Sequence, residues 1–137
     1  MGKNIVLRFA AVMAFISVLE VALVFSGLLP PVLSYSAGNL VFSLARFAVI
    51  AFVAYSRTKK GLFDAAKTGA TLSFASVLVI CLAALASRLW VKIPLLGISV
   101  QSETALFQVL AFILIENVVI GAAVAAIIAA IAVKIKK

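Results

Sequence analysis

The chain has 137 residues, of which 66% are hydrophobic and 12% are charged. Soluble domains are roughly 45–50% apolar and about 25% charged, so this composition leaves too little polar surface to cover a water-soluble core. Together with a mean hydropathy of +1.33, it excludes a soluble globular protein. It predicts an all-α integral membrane protein in which residues 1–137 form a single transmembrane domain.

The formal net charge of +8 comes from 12 basic and 4 acidic residues. The basic residues cluster at the ends of apolar runs, a pattern typical of residues that orient membrane helices, so nucleic acid is not an expected partner. Without histidine, a bis-His haem or a His-containing zinc site is impossible, and Cys81 alone makes neither an internal disulfide nor a thiolate cluster. We therefore expect no metal and no cofactor.

Four apolar segments are long enough to cross a bilayer core of about 30 Å, which takes roughly 20 helical residues. The first is too long for the apolar region of a signal peptide, roughly 7–15 residues, and no small-residue cleavage site follows it, so we expect a retained helix. Breakers such as Pro30-Pro31 and Gly38 separate the first two segments. The predicted spans are about 5–29, 39–55, 61–90 and 104–133.

The distribution of basic residues predicts the orientation of a four-helix bundle. With alternating spans, only Arg88 and Lys92 fall on one side, while Arg46 lies inside a span. The positive-inside rule then places both termini in the cytoplasm and favours a plasma membrane of the prokaryotic type. The nine residues on the cytoplasmic side are Lys3, Arg8, Arg57, Lys59, Lys60, Lys67, Lys134, Lys136 and Lys137.

Small residues spaced four apart predict close helix packing, because they let helix backbones approach each other in lipid. The fourth span contains the row Gly121/Ala125/Ala129 and a second row, Ala122/Ala126/Ala130; the third contains Gly69/Ser73. The pattern leaves open whether these rows pack within one bundle or against another subunit.

Three charged residues lie within the spans: Glu20, Arg46 and Glu116. An Arg in mid-membrane costs about 2.5–3.5 kcal/mol on insertion scales, while each Leu, Ile, Phe or Val returns about 0.3–0.6 kcal/mol. The second span has nine such apolar residues, which together only just offset Arg46. Arg46 is therefore expected to have a charged partner.

Depth along each helix identifies the candidate partners of Arg46. At a rise of 1.5 Å per residue, Glu20 and Glu116 each lie about 5 Å outward of the middle of their spans, and Arg46 about 2 Å outward. This agreement predicts an intramembrane charge cluster of Glu20, Arg46 and Glu116, with Asn117 beside it. A Glu20–Arg46 pair between consecutive antiparallel helices is the simplest arrangement.

Two hydroxyls are candidate partners for the cluster. Ser17 lies one turn from Glu20, and Ser43 one turn from Arg46. A hydroxyl that bonds to its own helix is the commoner arrangement.

The cluster supports two functional hypotheses. In the first, the charges hold helices or partners in register, and the chain is a non-catalytic subunit or homo-oligomeric component of a membrane transport or energy-transducing complex. The expected partners are then the lipid bilayer and either a second copy or a larger membrane protein. In the second, two carboxylates and one guanidinium leave a surplus negative charge, and the chain is a small proton- or cation-coupled transporter or channel.

An enzyme is the least supported class. The sequence has no nucleophile–base pairing by spacing, no metal-ligand motif and no glycine-rich phosphate loop. We therefore expect the chain not to be an enzyme, and no catalytic residue is predicted.

Overall fold

The computed structural model describes residues 2–34, 36–57, 61–98 and 102–135, with side chains from Ile5 onward. These residues form four α-helices and no strand. Five basic residues of the predicted topology lie outside this description: the side chain of Lys3, and the residues Lys59, Lys60, Lys136 and Lys137. The helices are α1 (Gly2–Phe25), α2 (Ala37–Ser56), α3 (Leu62–Ala86) and α4 (Glu103–Ile135), and a π-helical turn, Ser87–Val91, extends α3.

All four helices are long and apolar enough to cross a membrane, as the sequence predicts. Their bounds agree closely with the predicted spans except at the end of α1. That helix ends at Phe25 rather than Leu29, and a turn follows in which Gly27 has φ +74°. Glycine adopts this left-handed conformation without steric cost, so the helix ends before Pro30 is reached.

The bundle is built around α3, which packs against both α1 and α4. α2 lies beside the other three helices, whereas in the described residues no Cα atom of α1 lies within 8 Å of a Cα atom of α4. Going around the bundle, the order is therefore α1, α2, α4, α3. This order places α2 beside α1, where a charge on one helix can meet a charge on the other.

The closest helix contact joins α3 and α4 through the predicted small residues. A Cβ atom added at Gly121 would overlap the side chain of Ser73, and one added at Gly69 would overlap the carbonyl oxygen of Gly121. Ala125 and Ala129 are buried on the same face of α4. The row Gly121/Ala125/Ala129 thus packs within the bundle, which decides one of the alternatives that the sequence left open.

The loops at the α1–α2 end of the bundle fold over its core. The backbone N–H of Val32 donates a hydrogen bond to the carbonyl of Leu95, which joins the α1–α2 connection to the α3–α4 connection. Leu95 and Leu96 are buried in a cluster with residues of α1, α3 and α4. We call this the capped end of the bundle.

Candidate functional site

Glu20 lies on the buried face of α1. Met13, Ser17, Glu20 and Val24 recur at intervals of three or four residues, so they share one side of the helix, and all four are buried. The side chain of Glu20 is 0% exposed. A carboxylate at such a position requires a compensating charge or hydrogen bonds, because desolvation disfavours its ionised form.

Arg46 of α2 supplies the compensating charge. Its Nη1 atom lies 2.8 Å from Oε2 of Glu20, and its side chain is 14% exposed. The two groups form a close ion pair, and Oε1 of Glu20 has no hydrogen-bond partner among the described residues. The structure therefore brings together the two residues that the depth argument paired.

Two serines connect the ion pair to α3. The Arg46 Nη1 atom donates a hydrogen bond to Oγ of Ser17 at 3.4 Å, and this oxygen lies 2.6 Å from Oγ of Ser76. Side chains from α1, α2 and α3 thus form one chain of polar contacts. Of the two hydroxyls considered from the sequence, Ser17 contacts the pair; Ser43 lines a cavity instead.

The cavity lies between α2, α3 and α4, toward the capped end, and has a volume of about 520 Å³. Arg46 and Asn117 both line it, from α2 and α4 respectively. Nδ2 of Asn117 donates a hydrogen bond to the carbonyl of Ile113 at 2.8 Å, one turn back on its own helix. Asn117 therefore shares the cavity of the ion pair without bonding to the pair.

Glu116 takes a different position from the other members of the predicted cluster. It is exposed on α4 and lines a surface groove of about 470 Å³ beside the α3–α4 connection. Within the described residues it forms no ion pair or hydrogen bond with Glu20 or Arg46. The groove and the cavity meet at shared wall residues, among them Leu33, Leu96 and Asn117.

Asn39 is a polar residue of this region that the sequence reasoning missed. Its Nδ2 atom donates a hydrogen bond to the carbonyl of Pro31 at 2.8 Å, while Oδ1 is buried and has no partner among the described residues. Its spacing could have indicated this position, because Asn39 lies seven residues before Arg46 and therefore on the same face of α2.

The arrangement combines one neutralised charge pair with an apolar cavity. In the described part of the chain, Arg46 is the single ionisable residue lining the cavity. Such a site suits helix registration or binding of a mainly apolar molecule. The second carboxylate, Glu116, faces outward and is free to meet a group outside the chain.

No protein-family model, curated protein or solved structure matches the chain.

Proposed function

We propose that the protein is a non-catalytic subunit of a larger membrane complex, and that the face of α4 around Glu116 docks onto a helix of a different membrane protein. From the sequence we expect that complex to serve transport or energy transduction. The observation that carries the proposal is an exposed carboxylate near the middle of a membrane-spanning helix.

The position of Glu116 is costly without a partner. It lies about 5 Å from the middle of α4, since three residues at 1.5 Å each separate it from the central residue. Ionisable residues within spans almost always face a bundle interior or cavity, and they pair with other groups. The neighbours of Glu116 on this surface, Phe112, Ile115 and Val119, are exposed apolar side chains. A second protein that covers this face would give Glu116 the interior position it lacks.

Charge complementarity favours a different protein over a second copy. A partner helix for Glu116 should carry a cation or a hydrogen-bond donor at similar depth. Arg46 is the one described basic residue at that depth, and it is already paired with Glu20. The other described basic residues lie in loops or within about two turns of a helix end. Among the described residues, a second copy therefore offers no free cation at the depth of Glu116.

The orientation belongs to the same proposal. Nine basic residues on one side and two on the other favour cytoplasmic termini and a plasma membrane location. Glu116 then lies in the outer half of the bilayer. The partner's cation or donor is expected in the outer half of its own helix.

Position-specific photo-crosslinking tests the proposal. Cys81 is the one cysteine, so a Cys81→Ser background accepts single cysteines labelled with benzophenone maleimide in host membranes. We expect Ile115→Cys and Val119→Cys to crosslink to one larger protein, because both lie beside Glu116 and are exposed. The matched controls are Phe15→Cys and Val18→Cys on the exposed face of α1, which should not crosslink to that protein.

Adding Glu116→Leu to the α4 variants should abolish the adduct, whereas Ile120→Leu should preserve it. An adduct that forms equally from α1, that contains two copies of this chain, or that survives Glu116→Leu contradicts the proposal.

A second candidate, the proton- or cation-coupled transporter, is favoured by the cavity that reaches Arg46. It predicts proton or cation flux by the purified protein in liposomes, and loss of that flux in Glu20→Gln. The subunit hypothesis, by contrast, predicts that the purified chain alone gives no proton or cation flux.

A further inference from the structure

The cavity beside Arg46 opens sideways toward the membrane. Asn39, Ser43, Arg46 and Ile50 of α2 line it at intervals of three or four residues, so this face of the helix points inward. Leu40, Phe47 and Ile120 also line the cavity, and all three are exposed on the surface of the bundle. These residues mark a mouth between α2 and α4, through which a molecule dissolved in the bilayer can enter.

The size of the cavity suits a small molecule. Its volume of about 520 Å³ falls within the range of roughly 300–1,000 Å³ in which proteins bury drug-sized ligands. Its walls are mainly apolar, with Val77, Ile80 and Ile113 from α3 and α4, and Leu33 and Leu96 close the capped end. An apolar body is therefore favoured inside it.

Two polar residues of the wall have hydrogen-bonding atoms without a partner. Oδ1 of Asn39 is buried without a hydrogen bond, and the whole residue is 4% exposed. Arg46 uses only its Nη1 atom, for Glu20 and Ser17, so its Nη2 and Nε donors remain available within the described structure. A buried polar group without a partner carries its full desolvation cost. Arg46, which lines the cavity, can therefore donate hydrogen bonds to a molecule that occupies it.

The electrostatics of the cavity disfavour a charged ligand. Glu20 neutralises Arg46, and the rest of the described lining carries no ionisable side chain. An additional charge placed there would lose its hydration without a counter-charge. A neutral hydrogen-bond acceptor, by contrast, matches the unused donors of Arg46.

We propose that this cavity binds a neutral lipid of the monoacylglycerol type, whose ester carbonyl oxygen accepts a hydrogen bond from Arg46. The acyl chain occupies the apolar part of the cavity and leaves through the mouth between α2 and α4. Glu116 does not line this cavity, although its groove shares Leu33, Leu96 and Asn117 with the cavity wall.

Photolabelling with a diazirine-bearing monoacylglycerol in phosphatidylcholine liposomes tests the proposal on the full chain. We expect saturable labelling that maps to the cavity-facing segments of α2 and α4. Unlabelled monoolein should compete, whereas oleic acid and oleylamine, which carry a charge on a similar chain, should compete at least about tenfold less effectively. Mapping the wild-type protein makes this result independent of any variant's folding.

A pair of variants on α2 provides the control. Ser43→Phe fills the cavity and should lower labelling about tenfold. Ala48→Phe adds the same bulk on the exposed face of α2 and should leave labelling unchanged. Non-saturable labelling spread over the lipid-facing surface, equal competition by the charged analogues, or equal labelling of the two variants overturns the proposal.

Discussion

Arg46 lies within the shortest helix of the bundle because Glu20 meets it from the neighbouring one. The apolar residues of α2 contribute roughly 3–5 kcal/mol toward insertion, of the same size as the cost of one mid-membrane arginine. The ion pair at 2.8 Å and the contact with Ser17 supply the compensation that α2 lacks by itself. The folded position of α2 therefore depends on α1.

Breaking the pair from either side should be more damaging than removing both charges. Glu20→Gln leaves the Arg46 cation buried without its counter-charge. Arg46→Met leaves the Glu20 carboxylate buried without its counter-charge. Loss of one partner of a buried pair costs about 3–5 kcal/mol. We expect each single variant to lower the free energy of unfolding by about that amount, and the double variant Glu20→Gln/Arg46→Met to regain most of it. A steric-trapping or detergent unfolding assay measures all three, and strictly additive losses would contradict the pairing.

The sequence predicted the Glu20–Arg46 contact but not the direction in which Glu116 faces. Depth along a helix follows from residue number and a constant rise, so residues at equal depth are recognisable from sequence. The angle around the helix follows from an apolar stripe, and α4 is apolar on almost every side. Its inward face is defined instead by Gly121 and Ala125, which pack on α3.

At the scale of elements, the α3–α4 crossing is the closest contact in the bundle. Glycine at positions 69 and 121 allows the two backbones to approach, and Ser73 fits against Gly121. The spacing of small residues signalled this surface. It did not identify the opposing helix, because the same spacing also occurs at contacts between subunits.

Adding a methyl group at this crossing should separate the two helices. We expect Gly121→Ala to lower the free energy of unfolding by about 1–3 kcal/mol, the usual cost of overpacking a well-packed contact. Ala123→Val also adds bulk to α4, but on its exposed face, and should have little effect. Thermal unfolding of the two solubilised variants compares their stabilities. An equal loss of stability in both variants would exclude a close crossing at Gly121.

The bounds of the elements were predictable wherever a charge run or helix breaker marked them. α2 and α4 begin and end within two residues of the predicted limits. The end of α1 was not predictable, because the sequence places apolar residues on both sides of Gly27. Only the backbone conformation reveals the turn. The buried acceptor of Asn39 was also missed, since it depends on how the connection after α1 folds back.

For the whole molecule, the charge distribution predicts a fixed topology. A reporter fused after Lys137 should lie on the cytoplasmic side, because lysines resist transfer across the bilayer and the cytoplasmic side carries the excess of basic residues. A reporter inserted at Gly97, between α3 and α4, should lie on the outer side. Paired alkaline phosphatase and fluorescent protein fusions report the two sides, and phosphatase activity from the C-terminal fusion would show that the orientation is inverted.

For the whole molecule, the proposed function rests on how the three charges within the apolar helices divide. Glu20 and Arg46 neutralise each other inside the bundle, whereas Glu116 is exposed and has no partner in the described part of the chain. We propose that the internal pair sets the register of α1 and α2. The outward carboxylate provides the contact through which we propose that the bundle joins a larger protein.

Native mass spectrometry after gentle solubilisation from the host membrane tests this central proposal most directly. We predict that the wild-type chain and the Ile115→Leu control co-purify with one larger, different protein, and that Glu116→Leu is released from it while remaining folded. Recovery of the wild-type chain alone or as copies of itself, or retention of the same partner by Glu116→Leu, would contradict the proposed role of Glu116.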